Sequence, residues 1–307
     1  MVIRRRGVLP TLSGGPPDSA AAELREGHLV SALPRTPADE QLGRAGRIMR
    51  FPLVWMVIGI AGVGLVSTLS LGGPALGLVG AAAAVAVYWA VMRYVARRDT
   101  PEIARRGAVP QFLIGSAIGL VFIGASILAV LTEFSFSRAS GNALSIVASM
   151  AAVSLGAAVT EELLFRGLAL QALEQVFGRW VALAVTALLF GFLHLSNPAA
   201  TVWSSVAIAI EAGVLLGAAF LWRRNIWLVV GLHWAWNTAV GLLGIPVSGH
   251  PAEGLLVTLP TGPDLVTGGE FGLEASIVPV IVSLLLAVPM LVAAVRRSRR
   301  SVDVPAS

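Results

Sequence analysis

Residues 161–166, Glu161-Glu162-Leu163-Leu164-Phe165-Arg166, place three charged side chains within about one and a half helical turns. The flanks are apolar: no charge occurs between Ala143 and Thr160, or between Trp180 and Leu193. Three later polar residues have similar surroundings: His194, which closes a Phe190-x-x-x-His194 spacing, and the pair His233 and Asn237. Ionisable groups in such apolar stretches are costly and mark functional positions. Glu162 and Arg166 stand at i, i+4, so they can pair along one helix face, leaving Glu162 a structural group. Glu161 points about 100° away from that pair. A desolvated carboxylate near a histidine can take a proton from water, which makes Glu161 the candidate base and His194 the group that helps hold the water. His233 and Asn237 are neutral donors suited to the oxyanion formed from an amide carbonyl. The chemistry that emerges is amide hydrolysis by activated water, without a covalent intermediate.

The scaffold for these residues is membrane-spanning. Hydrophobic residues make up 56% of the 307-residue chain and charged ones 13%, with mean hydropathy +0.81. A soluble domain of this size carries about twice that charge. Apolar stretches near 51–71, 74–95, 110–132, 143–176, 180–196, 199–222, 225–244 and 275–295 suit helices crossing the hydrocarbon. The fold class read from them is all-α, a polytopic membrane protein of about eight transmembrane helices. The fourth stretch is too long for one span and must overhang or tilt. The fourth and fifth form a hairpin turning at Phe177-Gly178-Arg179. At 1.5 Å per residue, Glu161 and His194 each lie roughly 23 Å from that turn, at one depth. Asn237 sits about 18 Å into the seventh stretch, with His233 one turn below it on the same face. Four polar groups on three helices can therefore converge on a water-accessible cavity.

The basic residues are all arginine and the net charge is +5. They cluster at the ends of apolar stretches, which points to membrane orientation and away from nucleic acid. Alternate connections hold Arg93, Arg97, Arg98, Arg105, Arg106, Arg179, Arg223 and Arg224, whereas those on the other side hold only Arg138. This predicts a multi-pass plasma-membrane protein with both termini cytoplasmic. The expected organisation is a disordered cytoplasmic tail over 1–50, with weak affinity for anionic lipid. A transmembrane domain follows over 51–295, with its motif-bearing core at 143–245, and then a basic cytoplasmic tail over 296–307. The first long apolar run begins at Phe51, so no secretory signal peptide is expected. With no cysteine, disulfides, thiolate ligands and a cysteine nucleophile are excluded. Gly115-x-x-x-Gly119 and Gly213-x-x-x-Gly217 permit close helix packing, but such pairs arise often by chance in a glycine-rich chain.

Each residue also has a plainer reading. Glu162–Arg166 can be a helix-stabilising pair, His194 a bond to a neighbouring helix, Asn237 interhelical glue, and Trp234 and Trp236 packing residues. Glu211, in the middle of the sixth stretch, is open between a fifth site member, a partner for a histidine, and a protonated carboxyl bonded to backbone. Other intramembrane protease classes fit less well. Neither His194 nor His233 begins His-Glu-x-x-His, Asp99 and Asp264 fall in loops, and Gly124-Ala125-Ser126-Ile127 lacks the final glycine of a serine-protease motif. Ser126 reads as a packing serine.

Glu161-Glu162-x-x-x-Arg166, Phe190-x-x-x-His194 and His233-x-x-x-Asn237, in this order on separate hydrophobic segments, resemble the CPBP family. These are the intramembrane proteases related to the type II CAAX prenyl endopeptidase, also called the Abi family. The resemblance covers about residues 143–245. It implies an all-helical eight-span core, a water activated by Glu161 and His194, and an oxyanion held by His233 and Asn237. Glu162, Arg166 and Phe190 take supporting places. It implies an intramembrane endopeptidase acting on a peptide or membrane-protein substrate in the lipid bilayer, with no nucleic acid. The favoured reading has no cofactor; the alternative is zinc on Glu161, His194 and His233. The rivals are a proton-coupled transporter using the buried glutamates and histidines, and a catalytically silent membrane scaffold. Nothing in the sequence indicates prenyl recognition.

Overall fold

The computed structural model describes residues 44–302, so the expected tail over residues 1–43 lies outside the described residues. By contacts the chain divides into Met1–Arg47 and Ile48–Ser307. Arg44–Arg50, expected as loop, forms a short helix.

Eight apolar helices follow: α1 (Pro52–Ser67), α2 (Pro74–Ala96), α3 (Ala108–Glu133), α4 (Ala143–Phe177), α5 (Arg179–Ser196), α6 (Val202–Arg223), α7 (Ile226–Leu242) and α8 (Ile277–Arg299). Among the described residues, six helices are long and apolar enough to cross a membrane; α1 and α7, with 16 and 17 residues, are shorter. The chain is an all-α, multi-pass membrane protein. The backbone of α8 continues helically to Val302, beyond the end at 295 expected from the sequence.

Local chemistry sets the helix starts. Pro52 and Pro74 occupy first-turn positions, where a missing N–H costs nothing. Asn142 caps α4 by accepting from Ser145 N, and Asn225 caps α7 by accepting from Leu228 N, each at 3.1 Å. Thr201 and Ser204 form a reciprocal capping box at the start of α6. Both α4 and α6 widen into π-helical turns, over Leu163–Leu170 and Ala209–Leu216. Such turns leave some carbonyls without their usual helical partners.

α7 carries His233 and Asn237 and is buried on nearly every face. A helix that is apolar all round belongs in the interior of a bundle. It packs most closely on α3. A Cβ added at Gly115 would fall on the Leu228 carbonyl, and one at Gly119 on the Leu232 carbonyl. The Gly115/Gly119 pair, given little weight in the sequence, is thus the seam that seats α7. Gly213 and Gly217 likewise face Ala187 and Leu183 of α5. Gly115→Ala should lower stability by about 1–3 kcal/mol, because the two backbones must part. Thermal unfolding in detergent reads this, and an unchanged midpoint would refute the seam. The outward faces carry exposed apolar residues such as Leu128, Leu188, Phe192 and Leu285. Ser126 is buried and donates to the Phe122 carbonyl within its own helix, as a packing serine would.

Two connections whose composition reads as loop contain strand. Residues 134–138 and 256–260 form two antiparallel strands, β1 (Phe134–Arg138) and β2 (Leu256–Pro260), with Phe136 opposite Thr258. The strands tie the connection between α3 and α4 to the one between α7 and α8.

Candidate active site

Glu161, His194, His233 and Asn237 line one cavity of about 750 Å³. Its walls come from α4, the end of α5, α7 and the connection at residues 247–253. The four groups that depth arithmetic placed together are therefore brought to one space.

Glu161 turns into that space with its side chain 33% exposed, and its Oε2 lies 4.0 Å from His233 Nε2. Glu162 points the other way and is fully buried. Its Oε1 accepts from Arg166 Nη1 at 3.2 Å and bonds His233 Nδ1 at 2.8 Å. The sequence reading assigned Glu162 a single partner, Arg166; the structure gives it a second, on the helix that bears the oxyanion candidates. Glu162 Oε2 has no hydrogen-bond partner among the described residues.

Arg166 is buried and central to the arrangement. Besides Glu162 it donates from Nη2 to the Ala212 and Gly213 carbonyls, at 2.5 and 3.2 Å. Those carbonyls lie in the π-helical turn of α6, which presents them to the guanidinium. The guanidinium carbon also lies 5.1 Å from the Phe190 ring centroid and 5.9 Å from that of Phe165. Phe190 in turn holds His194. The two rings stack with centroids 4.7 Å apart, and His194 Nδ1 bonds the Phe190 carbonyl at 2.7 Å. One arginine therefore steadies both histidine arms, the first through Glu162 and the second through Phe190.

These bonds fix the tautomers. A carbonyl only accepts, so His194 Nδ1 carries the proton and Nε2 keeps a lone pair. His233 Nδ1 donates to the Glu162 carboxylate, which leaves Nε2 unprotonated in the neutral ring. The sequence expectation makes His233 a neutral donor to an oxyanion; with Nδ1 given to Glu162, Nε2 donates only when the ring holds a second proton.

Residues 143–239 match the family model of the type II CAAX prenyl endopeptidase, Rce1-like proteins. No curated protein and no solved structure matches the chain. The Rce1-like segment, about a third of the chain, runs from the start of α4 into α7 and contains every residue of the three motifs. A protease family is thus matched by the very helices that line the cavity.

The donor chemistry for zinc is present in part, with two Nε2 lone pairs, the Glu161 carboxylate and outer hydrogen bonds on both histidines. The spacing is not: among the described residues no group of three His, Cys, Asp or Glu is placed to hold a metal ion.

Glu211 is fully buried in the π-helical turn of α6, and it does not line the cavity. Neither of its oxygens has a hydrogen-bond partner among the described residues. Neither a bonded histidine partner nor a backbone-bonded carboxyl is therefore found. Sequence reasoning missed Glu274, which lies just before α8 and is buried to 2% exposure. Its Oε2 accepts from Ser248 N at 2.5 Å and Ser248 Oγ at 2.9 Å, so it braces a residue of the cavity wall. Burial pushes the Glu274 carboxyl up from the ordinary carboxylate range, against the two Ser248 bonds that pull it down. The signal available in the sequence was weak: Glu274 ends an acidic, glycine-rich connection that otherwise reads as solvated.

Proposed function

We propose that the chain is an intramembrane endopeptidase that hydrolyses peptide bonds with water activated by Glu161 and His194. What carries the reading is the convergence of Glu161, His194, His233 and Asn237 on one cavity inside the segment matched by a protease family. Glu161 takes a proton from the water while His194 Nε2 accepts the water's other O–H and aims its oxygen at the carbonyl carbon. Asn237 donates to the developing oxyanion, joined by His233 once its Nε2 is protonated beside Glu161. Glu162, behind His233, orients that ring and balances its charge. Protonated Glu161 then delivers its proton to the leaving nitrogen as the tetrahedral intermediate collapses. The protein sits in the plasma membrane with both termini cytoplasmic in this reading.

The proton-coupled transporter and the silent scaffold are separated from this reading by one assay. Purified protein should cleave peptide, and Glu161→Ala should abolish the cleavage. Proton-coupled uptake into liposomes without peptide cleavage would favour the transporter.

The metal-free form makes a further prediction. Asn237→Ala should lower turnover about 10²–10³-fold with little change in KM, as expected for a donor used in the transition state. Activity should persist under chelators that strip zinc. If zinc were held by Glu161, His194 and His233, Asn237 would be an outer group, and its loss would cost roughly 10–100-fold and weaken metal binding. One zinc per active chain by elemental analysis, lost together with activity in His194→Ala, would overturn the metal-free mechanism.

A further inference from the structure

Hydrogen bonds establish which residues share an end of the helix bundle. Arg224 forks onto Glu174 at 2.5 and 2.6 Å, and Arg179 Nε reaches the same carboxylate at 3.3 Å. Arg179 Nη2 donates to Ser298 Oγ at 2.7 Å, and Arg98 Nη2 to Gln171 Oε1 at 3.1 Å. One end thus gathers the arginines that follow α2, begin α5 and follow α6. The opposite end is tied by the β1–β2 pairing and by Asn197 Nδ2 to the Ser248 carbonyl at 2.9 Å. There the connections hold Arg138 alone as a basic residue, beside Glu253, Asp264, Glu270 and Glu274.

The cavity belongs to this second, arginine-poor end. Ser145, Ser149, His250 and Glu253 line it and are exposed at its rim. Two wall residues, Val153 and Leu193, are also 51% and 57% exposed on the apolar flanks of α4 and α5. The cavity therefore meets both the aqueous face and the adjoining lipid. Its charged lining, the histidines apart, is Glu161 and Glu253; no Arg or Lys among the described residues lines it. Arg166 does not serve, being buried against Glu162.

We infer that this cavity receives an internal stretch of peptide presented on the extracytoplasmic side of the membrane, and not the free carboxyl terminus of a cytosolic chain. The inference rests on the endopeptidase reading above. Two independent observations carry it. The arginine-rich end is retained in the cytoplasm by the positive-inside rule, which leaves the cavity rim facing outward. A terminal carboxylate drawn into the cavity would lie near Glu161 with no arginine or lysine among the lining residues to pair it, and the one imidazolium the mechanism forms, on His233, is already held between Glu161 and Glu162. Like charges brought together in a desolvated site are strongly unfavourable.

The chain has no cysteine, so single cysteines report sidedness cleanly. Ser145→Cys and Ala252→Cys at the rim, and Arg105→Cys at the opposite end, are exposed in intact cells to a membrane-impermeant maleimide. Labelling at 145 and 252 with 105 protected is the expected result; labelling at 105 with 145 and 252 protected overturns the inference. In parallel, intact cells receive an impermeant library of fluorescence-quenched decapeptides, either amidated or ending in a free carboxylate. Wild-type cells should hydrolyse the amidated library at least ~10-fold faster than the free-carboxylate one, and Glu161→Gln cells should hydrolyse neither. Hydrolysis that appears only after permeabilisation, or a preference for the free carboxylate, overturns the substrate class while leaving the peptidase reading intact. Absence of hydrolysis in any preparation overturns the peptidase reading and the substrate class with it, while the labelling still reports the side.

Discussion

Glu161→Gln should abolish peptide hydrolysis and leave the fold as stable as before. Glutamine keeps the volume and a carbonyl oxygen, but it cannot take the proton that the water must lose. Loss of a general base costs about 10²–10⁴-fold. Stability should hold because Glu161 faces the cavity, outside the buried pair made by Glu162 and Arg166. Glu162→Gln provides the contrast. It leaves Arg166 charged without its carboxylate and weakens the grip on His233 Nδ1, so activity and thermal midpoint should fall together. The measurement is kcat/KM with a cleavable peptide alongside thermal unfolding in detergent. Near-normal turnover in Glu161→Gln would end the case for Glu161 as base. An equal loss of stability in both variants would show that the two glutamates are not divided into a catalytic and a structural member.

The different surroundings of those neighbours, Glu161 facing the cavity and Glu162 paired with Arg166, were legible in the sequence because helical geometry alone decides them. Adjacent residues point about 100° apart, and only one of them can stand at i, i+4 from Arg166. The shared depth of Glu161, His194 and Asn237 was legible for the same reason, since rise per residue converts sequence distance into height. Lateral contacts between helices were not. The bond from Glu162 to His233 needs α4 and α7 side by side, and nothing in either motif states which helices touch. The Gly115/Gly119 seam carried part of that information, but glycine pairs are too common in such chains to single it out. The role of Arg166 was half legible. Its partner along the helix follows from spacing, whereas its bonds to the Ala212 and Gly213 carbonyls depend on a π-helical turn in α6 that has no spacing signature. The β1–β2 pairing and the Glu274–Ser248 brace join residues far apart in the chain, through connections whose composition reads as loop.

Arg166→Ala should be the most destabilising single change at the site. The guanidinium is 3% exposed, and it satisfies Glu162, two α6 carbonyls and the face of Phe190 at once. Removing one member of a buried pair leaves the other charge uncompensated, at a cost of about 3–5 kcal/mol. Arg166→Lys should recover only part of this, because an ammonium cannot reach carboxylate and carbonyls in one plane. Replacing both members, as in Glu162→Leu with Arg166→Met, removes the stranded charge and should restore much of the thermal midpoint. Activity should not return with it, since His233 Nδ1 then has no carboxylate to orient the ring. That split between stability and turnover distinguishes a pair that also positions His233 from one that merely holds α4 together. An Arg166→Ala protein as stable as the parent would refute the buried pair, and a double variant with full activity would refute the link from Glu162 to His233.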